Sequence, residues 1–303
     1  MKKSAAYLFS KTFCVVSEFL FGHTVYKLGG SSNVKFTNKI RYCQDPKLYL
    51  NTCEPKNRTG EKLPVFLYIH GGGFVSGAPD YRRAILSNIA ARGFFTVGIF
   101  YGLAPAYRFP EPVVNIYKAL AFLKQNAEKY NIDTENIHTG GESAGGTLAL
   151  TVGAISVNDG YKDYFTLPEE SKDLKFKSIM PICGLFDVRD ALDCGYPYIR
   201  EYLAAYADLP AEILRNDAES LYLSPIRFLD SDLPPTFVIT GERDALRFQS
   251  FALIEKLKGL GIQYGHYHGQ GKSAIHAFPV GQCMKVAKEA IKEALDFITD
   301  VKP

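Results

Sequence analysis

The sequence contains no C-x-x-C spacing, although six cysteines are scattered along its 303 residues. This scatter argues against a zinc knuckle and against a redox dithiol. Cys43 and Cys53 could pair in an exported protein, but buried free thiols are the expected state. The cysteines therefore predict neither a structural metal nor a disulfide framework.

Long runs of one charge are also missing. The chain carries 35 basic and 32 acidic residues, and its formal net charge is +3. Because no basic run and no interleaving of basic with aromatic residues occurs, nucleic acid is not expected as a partner. The length and the 47% hydrophobic composition allow a large buried core, and we expect a single domain spanning residues 1–303.

No apolar run near the amino terminus reaches the roughly 20 residues that a bilayer requires. Lys11 and Glu18 interrupt it. Polar pairs recur at heptad spacing and form one stripe on an amphipathic helix, namely Lys3/Ser4, Ser10/Lys11 and Ser17/Glu18. We expect this helix to pack on the protein's own body; an interfacial membrane helix and a cleaved signal peptide are the second and third interpretations. A cytoplasmic location is expected, with export or peripheral membrane association as alternatives.

Strands and helices alternate along most of the chain. Residues 34–41 and 47–53 are typical of antiparallel edge strands, and buried strands are expected at 65–70, 94–100, around Ile137, 178–183 and 235–241. Residues 263–268 are expected to form the last strand. Helical patterns cover 81–91, 110–130, 147–152, 248–259 and 284–301. This alternation predicts an α/β fold with a mostly parallel central sheet and helices on both faces.

Ser143 lies in a G-x-S-x-G pattern, Gly141-Glu142-Ser143-Ala144-Gly145, between a predicted strand and a predicted helix. This context is typical of a nucleophile elbow, in which a sharp turn exposes the serine hydroxyl. Glycines are needed two residues before and after the serine because side chains there would collide with the neighbouring strand or helix. An idle serine in a glycine-rich turn is the alternative, so other residues must decide.

A glycine loop, His70-Gly71-Gly72-Gly73-Phe74, follows the strand at 65–70. Attack on an ester carbonyl places negative charge on its oxygen, and preorganised backbone amides stabilise that charge. An H-G-G-G loop supplies such amides, together with the residue after the nucleophile. A phosphate-binding loop would require a following Lys-Ser/Thr or G-x-G-x-x-G spacing, and neither is present.

A serine nucleophile needs a base within hydrogen-bond reach. His276 follows the last predicted strand in a loop with small neighbours, and it is the predicted base, with His268 as the alternative. The base needs an orienting carboxylate. Asp244 directly follows the strand at 235–241, where open α/β folds place their sites, while Glu242 and Asp187 are alternatives.

Residues 185–233, between two predicted strands, are long for a crossover and rich in tyrosine. An inserted lid is the favoured interpretation. An elaborate crossover whose tyrosines fill surface grooves is the alternative.

Together, His70–Phe74, Gly141–Gly146, Asp244 and His276-Ala277-Phe278 resemble the hormone-sensitive lipase-like, or H-G-G-G, branch of the α/β-hydrolase carboxylesterases. The resemblance runs from about Val65 to the end. It implies the α/β-hydrolase fold, oxyanion amides from Gly72, Gly73 and Ala144, and a helical cap formed by residues 1–33 and 185–233. Gly102 and Ala106 stand where that family usually has arginine and glutamate, so one supporting ion pair is not expected.

The predicted function is a serine carboxylesterase that acts on small to medium uncharged esters through an acyl-enzyme. Ser143 would be the nucleophile, His276 the proton carrier and Asp244 the orienting acid. The cycle requires no metal or organic cofactor. An arylformamidase or amidase with the same triad, and a non-catalytic ligand receptor of the same fold, are the alternatives.

Overall fold

The computed structural model describes residues 5–300, and the side chains of residues 8–300. Lys3 and Ser4 of the predicted polar stripe lie outside this range. The described residues form one eight-stranded sheet in the order β1-β2-β4-β3-β5-β6-β7-β8. The strands are β1 Val34–Arg41, β2 Tyr49–Pro55, β3 Leu63–Ile69, β4 Phe95–Phe100, β5 Ile132–Glu142, β6 Ser178–Ile182, β7 Thr236–Gly241 and β8 Tyr264–Gly269.

Strands β3 to β8 are parallel neighbours, whereas β1 pairs antiparallel with β2 and β2 pairs antiparallel with β4. Strand β6 is buried at every position, and β3 is buried from Val65 to Ile69, as expected where helices cover both faces of a sheet. The mostly parallel α/β architecture with antiparallel edge strands therefore agrees with the sequence prediction.

The helices pack on both faces of this sheet, and two core clusters lie between them and the strands. The α-helices are α1 Ala5–His23, α2 Arg83–Ala90, α3 Glu111–Gln125, α4 Ala127–Tyr130, α5 Ala144–Ile155, α6 Asp159–Lys162, α7 Val188–Ala191, α8 Ile199–Ala207, α9 Ala211–Leu214, α10 Arg247–Gly259 and α11 Lys285–Asp300. Short 3₁₀ helices span Val25–Lys27, Pro79–Arg82, Glu219–Leu223, Pro225–Phe228 and Phe278–Val280.

Two helices differ locally from the prediction. The helix expected at 81–91 begins as a 3₁₀ turn at Pro79–Arg82 and becomes α-helical at Arg83. The helix expected at 110–130 is interrupted at Asn126, whose side-chain amide donates to the Phe122 carbonyl. Such a bond between a side chain and the backbone competes with helix continuation.

Helix α1 packs against the protein with its polar stripe facing inward. Ser10 is buried, Lys11 Nζ donates to the Ala104 carbonyl, and Glu18 contacts Arg82. The outward side is apolar, and its exposed side chains include Leu8, Phe9, Val15, Val16, Phe19 and Leu20. No helix among residues 5–300 is long and apolar enough to cross a membrane. All six cysteines are free, so Cys43 and Cys53 do not pair.

Candidate active site

Ser143 occupies a strained turn between β5 and α5. Its backbone has φ 55° and ψ −121°, which side chains other than glycine rarely adopt. The flanking glycines permit close packing, because a Cβ at Gly141 or Gly145 would lie 2.1 or 1.9 Å from the Ile69 carbonyl oxygen. The Ser143 amide donates to the Ile182 carbonyl at 2.8 Å. This geometry fixes the turn between β3 and β6, as the elbow interpretation requires.

The Ser143 hydroxyl contacts His276, and His276 contacts Asp244. The distances are 2.8 Å from Ser143 Oγ to His276 Nε2 and 2.9 Å from His276 Nδ1 to Asp244 Oδ1. These contacts form an unbroken hydrogen-bonded chain over three separate loops. The arrangement can pass a proton from the hydroxyl to the imidazole while a carboxylate holds the ring.

The loops that carry Asp244 and His276 are joined by backbone contacts. Arg243 and Ile275 form a parallel bridge, and the Arg243 amide donates to the Ala274 carbonyl at 2.9 Å. A Cβ at Gly241 would lie 2.3 Å from the Ala274 oxygen, so glycine is needed for this approach. The backbone thus brings the acid beside the imidazole.

Asp244 is fully buried, and its Oδ1 also accepts the Leu246 amide at 2.9 Å. Burial alone would raise the pKa of this carboxyl, but the His276 ring and these hydrogen bonds outweigh it and hold the pKa below its ordinary value. Asp244 therefore remains ionised at neutral pH and can stabilise an imidazolium.

Cys183, Asp244 and His276 place three potential metal-ligand atoms within 4.8 Å of one another. However, His276 Nδ1 and Asp244 Oδ1 are engaged in a 2.9 Å hydrogen bond, and burial raises the pKa of the Cys183 thiol well above its usual range. A metal would need a deprotonated thiol and free lone pairs, so this donor set does not fit one.

Three residues with unengaged amides line the same cavity as Ser143. Within residues 5–300, the amides of Gly72, Gly73 and Ala144 donate to no protein group. Gly72 and Gly73 have φ 118° and φ 61°, conformations that glycine adopts without a steric penalty. These amides are available to an oxygen atom of a bound molecule.

His70 supports the glycine loop. Its ring stacks on Tyr101 at 4.5 Å, and Nδ1 lies 2.7 Å from the Gly71 carbonyl oxygen. Burial lowers the pKa of His70 to about 4, so it is neutral at neutral pH. It is a structural element of the loop.

A cavity of about 320 Å³ lies over these groups. Residues from α1, from the glycine loop and from the segment after β6 share its lining, including Phe13, Cys14, Phe21, Tyr196, Tyr202 and Leu203. The Tyr196 ring meets the His276 ring edge-on, with centroids 4.7 Å apart. The cavity wall is therefore mainly aromatic and apolar.

Comparison with known proteins places the chain in a family. The family model described as BD-FAE matches residues 50–257. The chain belongs to the BD-FAE family. A putative alpha/beta hydrolase of Acanthamoeba polyphaga mimivirus is 30% identical to this family member over 212 residues, which are 67% of the chain and 58% of that protein.

Esterase LipC of Mycobacterium tuberculosis is 27% identical over 230 residues, covering 73% of the chain and 55% of LipC. The alignments thus span little more than half the length of these curated relatives. Esterase B from Lactobacillus rhamnosis has a similar structure, with a TM-score of 0.87, 22% identity, and coverage of 99% of this chain and 96% of that one. A bacterial heroin esterase has a TM-score of 0.75 and 24% identity, with coverage of 95% of this chain and 90% of that one. These findings confirm the α/β-hydrolase fold and the resemblance to its carboxylesterase branch.

The residues considered as alternatives for the base and the acid, His268, Glu242 and Asp187, lie elsewhere in the structure. His268 contacts Gln270 and Phe251. Glu242 accepts the Gly271 amide, and Asp187 caps α7 and pairs with Arg227. None of these three side chains lines the cavity over Ser143.

One part of the site was not predicted from the sequence. Arg82 is buried beside the elbow and pairs with Glu142 and with Glu18. A signal was present in the inward polar stripe of α1, because a glutamate on a face packed against the body requires a cationic partner. The sequence did not identify which cation.

Proposed function

We propose that the protein is a serine carboxylesterase that hydrolyses small to medium uncharged carboxylic esters through an acyl-enzyme. The observation that carries this proposal is the hydrogen-bonded chain from Ser143 through His276 to Asp244, which faces a cavity with unengaged amides. A ligand receptor would require neither the proton path nor the strained serine turn. The curated relatives named as esterases support the same chemistry.

The geometry supports an acylation step. Ser143 Oγ attacks the ester carbonyl carbon as His276 Nε2 takes the hydroxyl proton, and the amides of Gly72, Gly73 and Ala144 bind the carbonyl oxygen as it becomes negative. When the C–O bond to the alcohol breaks, the imidazolium returns its proton to the leaving alkoxide. The acyl group stays on Ser143.

Deacylation repeats these steps with water. His276 takes a proton from the water that attacks the acyl carbon, and the proton then passes to Ser143 Oγ as the acid leaves. Asp244 stays ionised throughout and stabilises the imidazolium. The cycle uses only groups of this chain and water.

The cavity supports a restricted substrate class. Its volume of about 320 Å³ is at the lower end for small-molecule sites. The charged side chains in its lining, Glu18, Arg82 and Glu142, are already paired with one another. An uncharged ester would not compete with these ion pairs, whereas a charged one would be desolvated without a partner.

The proposal includes the cap. Helix α1 and the segment that contains α8 both contribute to the cavity lining, which supports a cap composed of residues 1–33 and 185–233. The Tyr202 hydroxyl donates to the Ser10 carbonyl at 3.3 Å and joins the two parts.

A chain-length series of p-nitrophenyl esters tests the function. We expect the highest kcat/KM between acetate and hexanoate, and a value lower by about tenfold or more for palmitate, because its chain exceeds the cavity. Maximal activity on palmitate would contradict the substrate class. Negligible ester turnover beside rapid hydrolysis of N-formylkynurenine would replace the esterase with an arylformamidase.

A further inference from the structure

Arg82 lies between α1 and the nucleophile elbow, and all three of its donor nitrogens are used. Nη1 and Nη2 donate to the two oxygens of Glu18 at 2.8 and 3.0 Å, and Nε donates to Glu142 Oε1 at 2.6 Å. The side chains of Arg82 and Glu142 are 2% and 1% exposed, and that of Glu18 is 14% exposed. The bidentate fork is the strong geometry for such pairs.

Glu142 also holds the glycine loop. Its Oε1, the atom that accepts from Arg82, accepts the Gly71 amide at 2.6 Å. Glu142 directly precedes Ser143, and Gly71 directly precedes Gly72. One carboxylate oxygen therefore sets the position of the glycine loop relative to the nucleophile.

The second oxygen of Glu142 offers another arrangement. Within the described residues, Oε2 is buried and accepts no hydrogen bond. Tyr68 lies close by: burial, then the charge of Glu142 and the proximity of its carboxylate to the hydroxyl, raise the pKa of that hydroxyl well above the usual range. Oε2 is thus an acceptor that Arg82 does not use, with the Tyr68 hydroxyl near it.

Loss of Glu18 would leave two buried guanidinium nitrogens without an acceptor. Buried donors without an acceptor destabilise the fold, and a bidentate pair between Arg82 and both oxygens of Glu142 would restore acceptors to them. A rotation of the carboxylate that forms this pair would move Oε1 away from the Gly71 amide.

Helix α1 also forms one wall of the cavity. Phe13, Cys14, Ser17 and Phe21 line the space above Ser143, and Glu18 follows on the same helix. Helix α1 is therefore part of the cavity wall, and Glu18 and Arg82 link it by hydrogen bonds to the carboxylate that holds Gly71.

We propose that Arg82 is a positioning residue that couples the docking of α1, through Glu18 and Glu142, to the geometry of the oxyanion loop. Its catalytic consequence rests on the proposed esterase function, but the structural coupling does not. When α1 is seated, Arg82 is satisfied by Glu18 and Glu142 Oε1 remains on Gly71. When α1 leaves, Arg82 turns to Glu142 and the loop loses its anchor.

The test compares Glu18→Gln, Arg82→Lys and a matched control, Glu128→Gln. Glu128 forms an exposed pair with Lys62 far from the cavity, and its loss is expected to change nothing. Glutamine keeps the size of Glu18 but loses the charge, and lysine cannot fork between two carboxylates. If Arg82→Lys does not fold, Glu18→Gln, at the more exposed end, decides the outcome.

Amide hydrogen exchange supplies the readout that does not depend on activity. In Glu18→Gln we expect faster exchange in α1 and also in residues 71–76, whereas Glu128→Gln matches the wild type. Faster exchange in α1 alone, with unchanged residues 71–76, would overturn the proposal and leave Glu18 as a simple anchor. A wild type without ester turnover would refute the proposed function, and the exchange result would still decide the coupling.

Kinetics test the catalytic consequence. We expect kcat on p-nitrophenyl butyrate to fall about tenfold in Glu18→Gln, because the glycine-loop amides are no longer held in position to bind the oxyanion. The affinity for a trifluoromethyl ketone, whose adduct places an oxyanion on these amides, should fall by a similar factor. A rise in KM with unchanged kcat and unchanged ketone affinity would contradict the coupling.

Discussion

Two hydrogen-bonded chains of three residues start from neighbouring positions of the elbow, Ser143 and Glu142. They differ in the structural elements that carry their members. Ser143, His276 and Asp244 stand on loops after β5, β8 and β7, so the sheet itself aligns them. Glu142, Arg82 and Glu18 extend from the elbow to α1, outside the sheet. The proton path is thus built into the α/β body, whereas the chain that holds the glycine loop extends to a helix outside the sheet.

The largest expected effect comes from breaking the first chain. His276→Ala should lower kcat/KM on p-nitrophenyl acetate by about 10⁴-fold or more, because within residues 5–300 the Ser143 hydroxyl contacts no other base. His268→Ala is the matched control, since His268 contacts Gln270 and Phe251 and lies outside the cavity lining. Equal losses in the two variants would refute the assignment of the base.

The two chains also differ in how far the sequence predicted them. Ser143, Asp244 and His276 each follow a predicted strand within a local motif, so their meeting at one edge of the sheet could be inferred. Arg82 belongs to no motif, and its partners lie 64 and 60 residues away along the chain.

The proposed cap was less predictable than the sheet. The polar stripe of α1 could be read from the sequence. Its inward orientation, however, depends on the ion pair between Glu18 and Arg82. Tyr198, Tyr202 and Tyr206 recur every four residues around α8, but α7 and α9 span only four residues each and show no period in the sequence. Their positions are set by tertiary packing, as in the stacking of Phe74 on Tyr206.

An intermediate effect is expected in the glycine loop, which the second chain holds next to Ser143 of the first. Gly72→Ala should lower kcat by about 10²-fold or more, since a Cβ there would lie 2.3 Å from the Ser76 carbonyl oxygen and disturb the donors. Gly60→Ala is the control, because Gly60 also has positive φ but no atom within 4 Å of the added Cβ. Similar kcat values for the two variants would contradict the role of the loop.

A smaller effect is expected at the contact between the two segments of the proposed cap. Tyr202→Ala should lower kcat/KM about tenfold, because its ring packs at 3.0 Å from the Cβ position of Gly73 and lines the cavity. Tyr202→Phe keeps the ring, loses the hydroxyl that bonds the Ser10 carbonyl and contacts the Cys14 thiol, and should cost about twofold. If both variants lose activity equally, the hydroxyl matters and the ring packing does not.

The smallest effect concerns how the free energy of unfolding depends on pH through Asp244. The pKa of Asp244 is lower in the folded protein than its ordinary value, so its ionised form stabilises the fold above the unfolded pKa. This stabilisation is lost as the pH falls through the folded pKa. Chemical denaturation between pH 6 and pH 3 should therefore show a steeper decline for the wild type than for Asp244→Asn, and parallel declines would contradict the assignment.

Covalent trapping tests the central claim most directly. The protein is treated with a fluorophosphonate, digested, and examined by mass spectrometry beside Ser143→Ala. The account predicts one adduct in the wild type, on the peptide that contains Ser143, and none in the variant. A folded wild type without an adduct, or an equal adduct in Ser143→Ala, would contradict a serine nucleophile at the elbow.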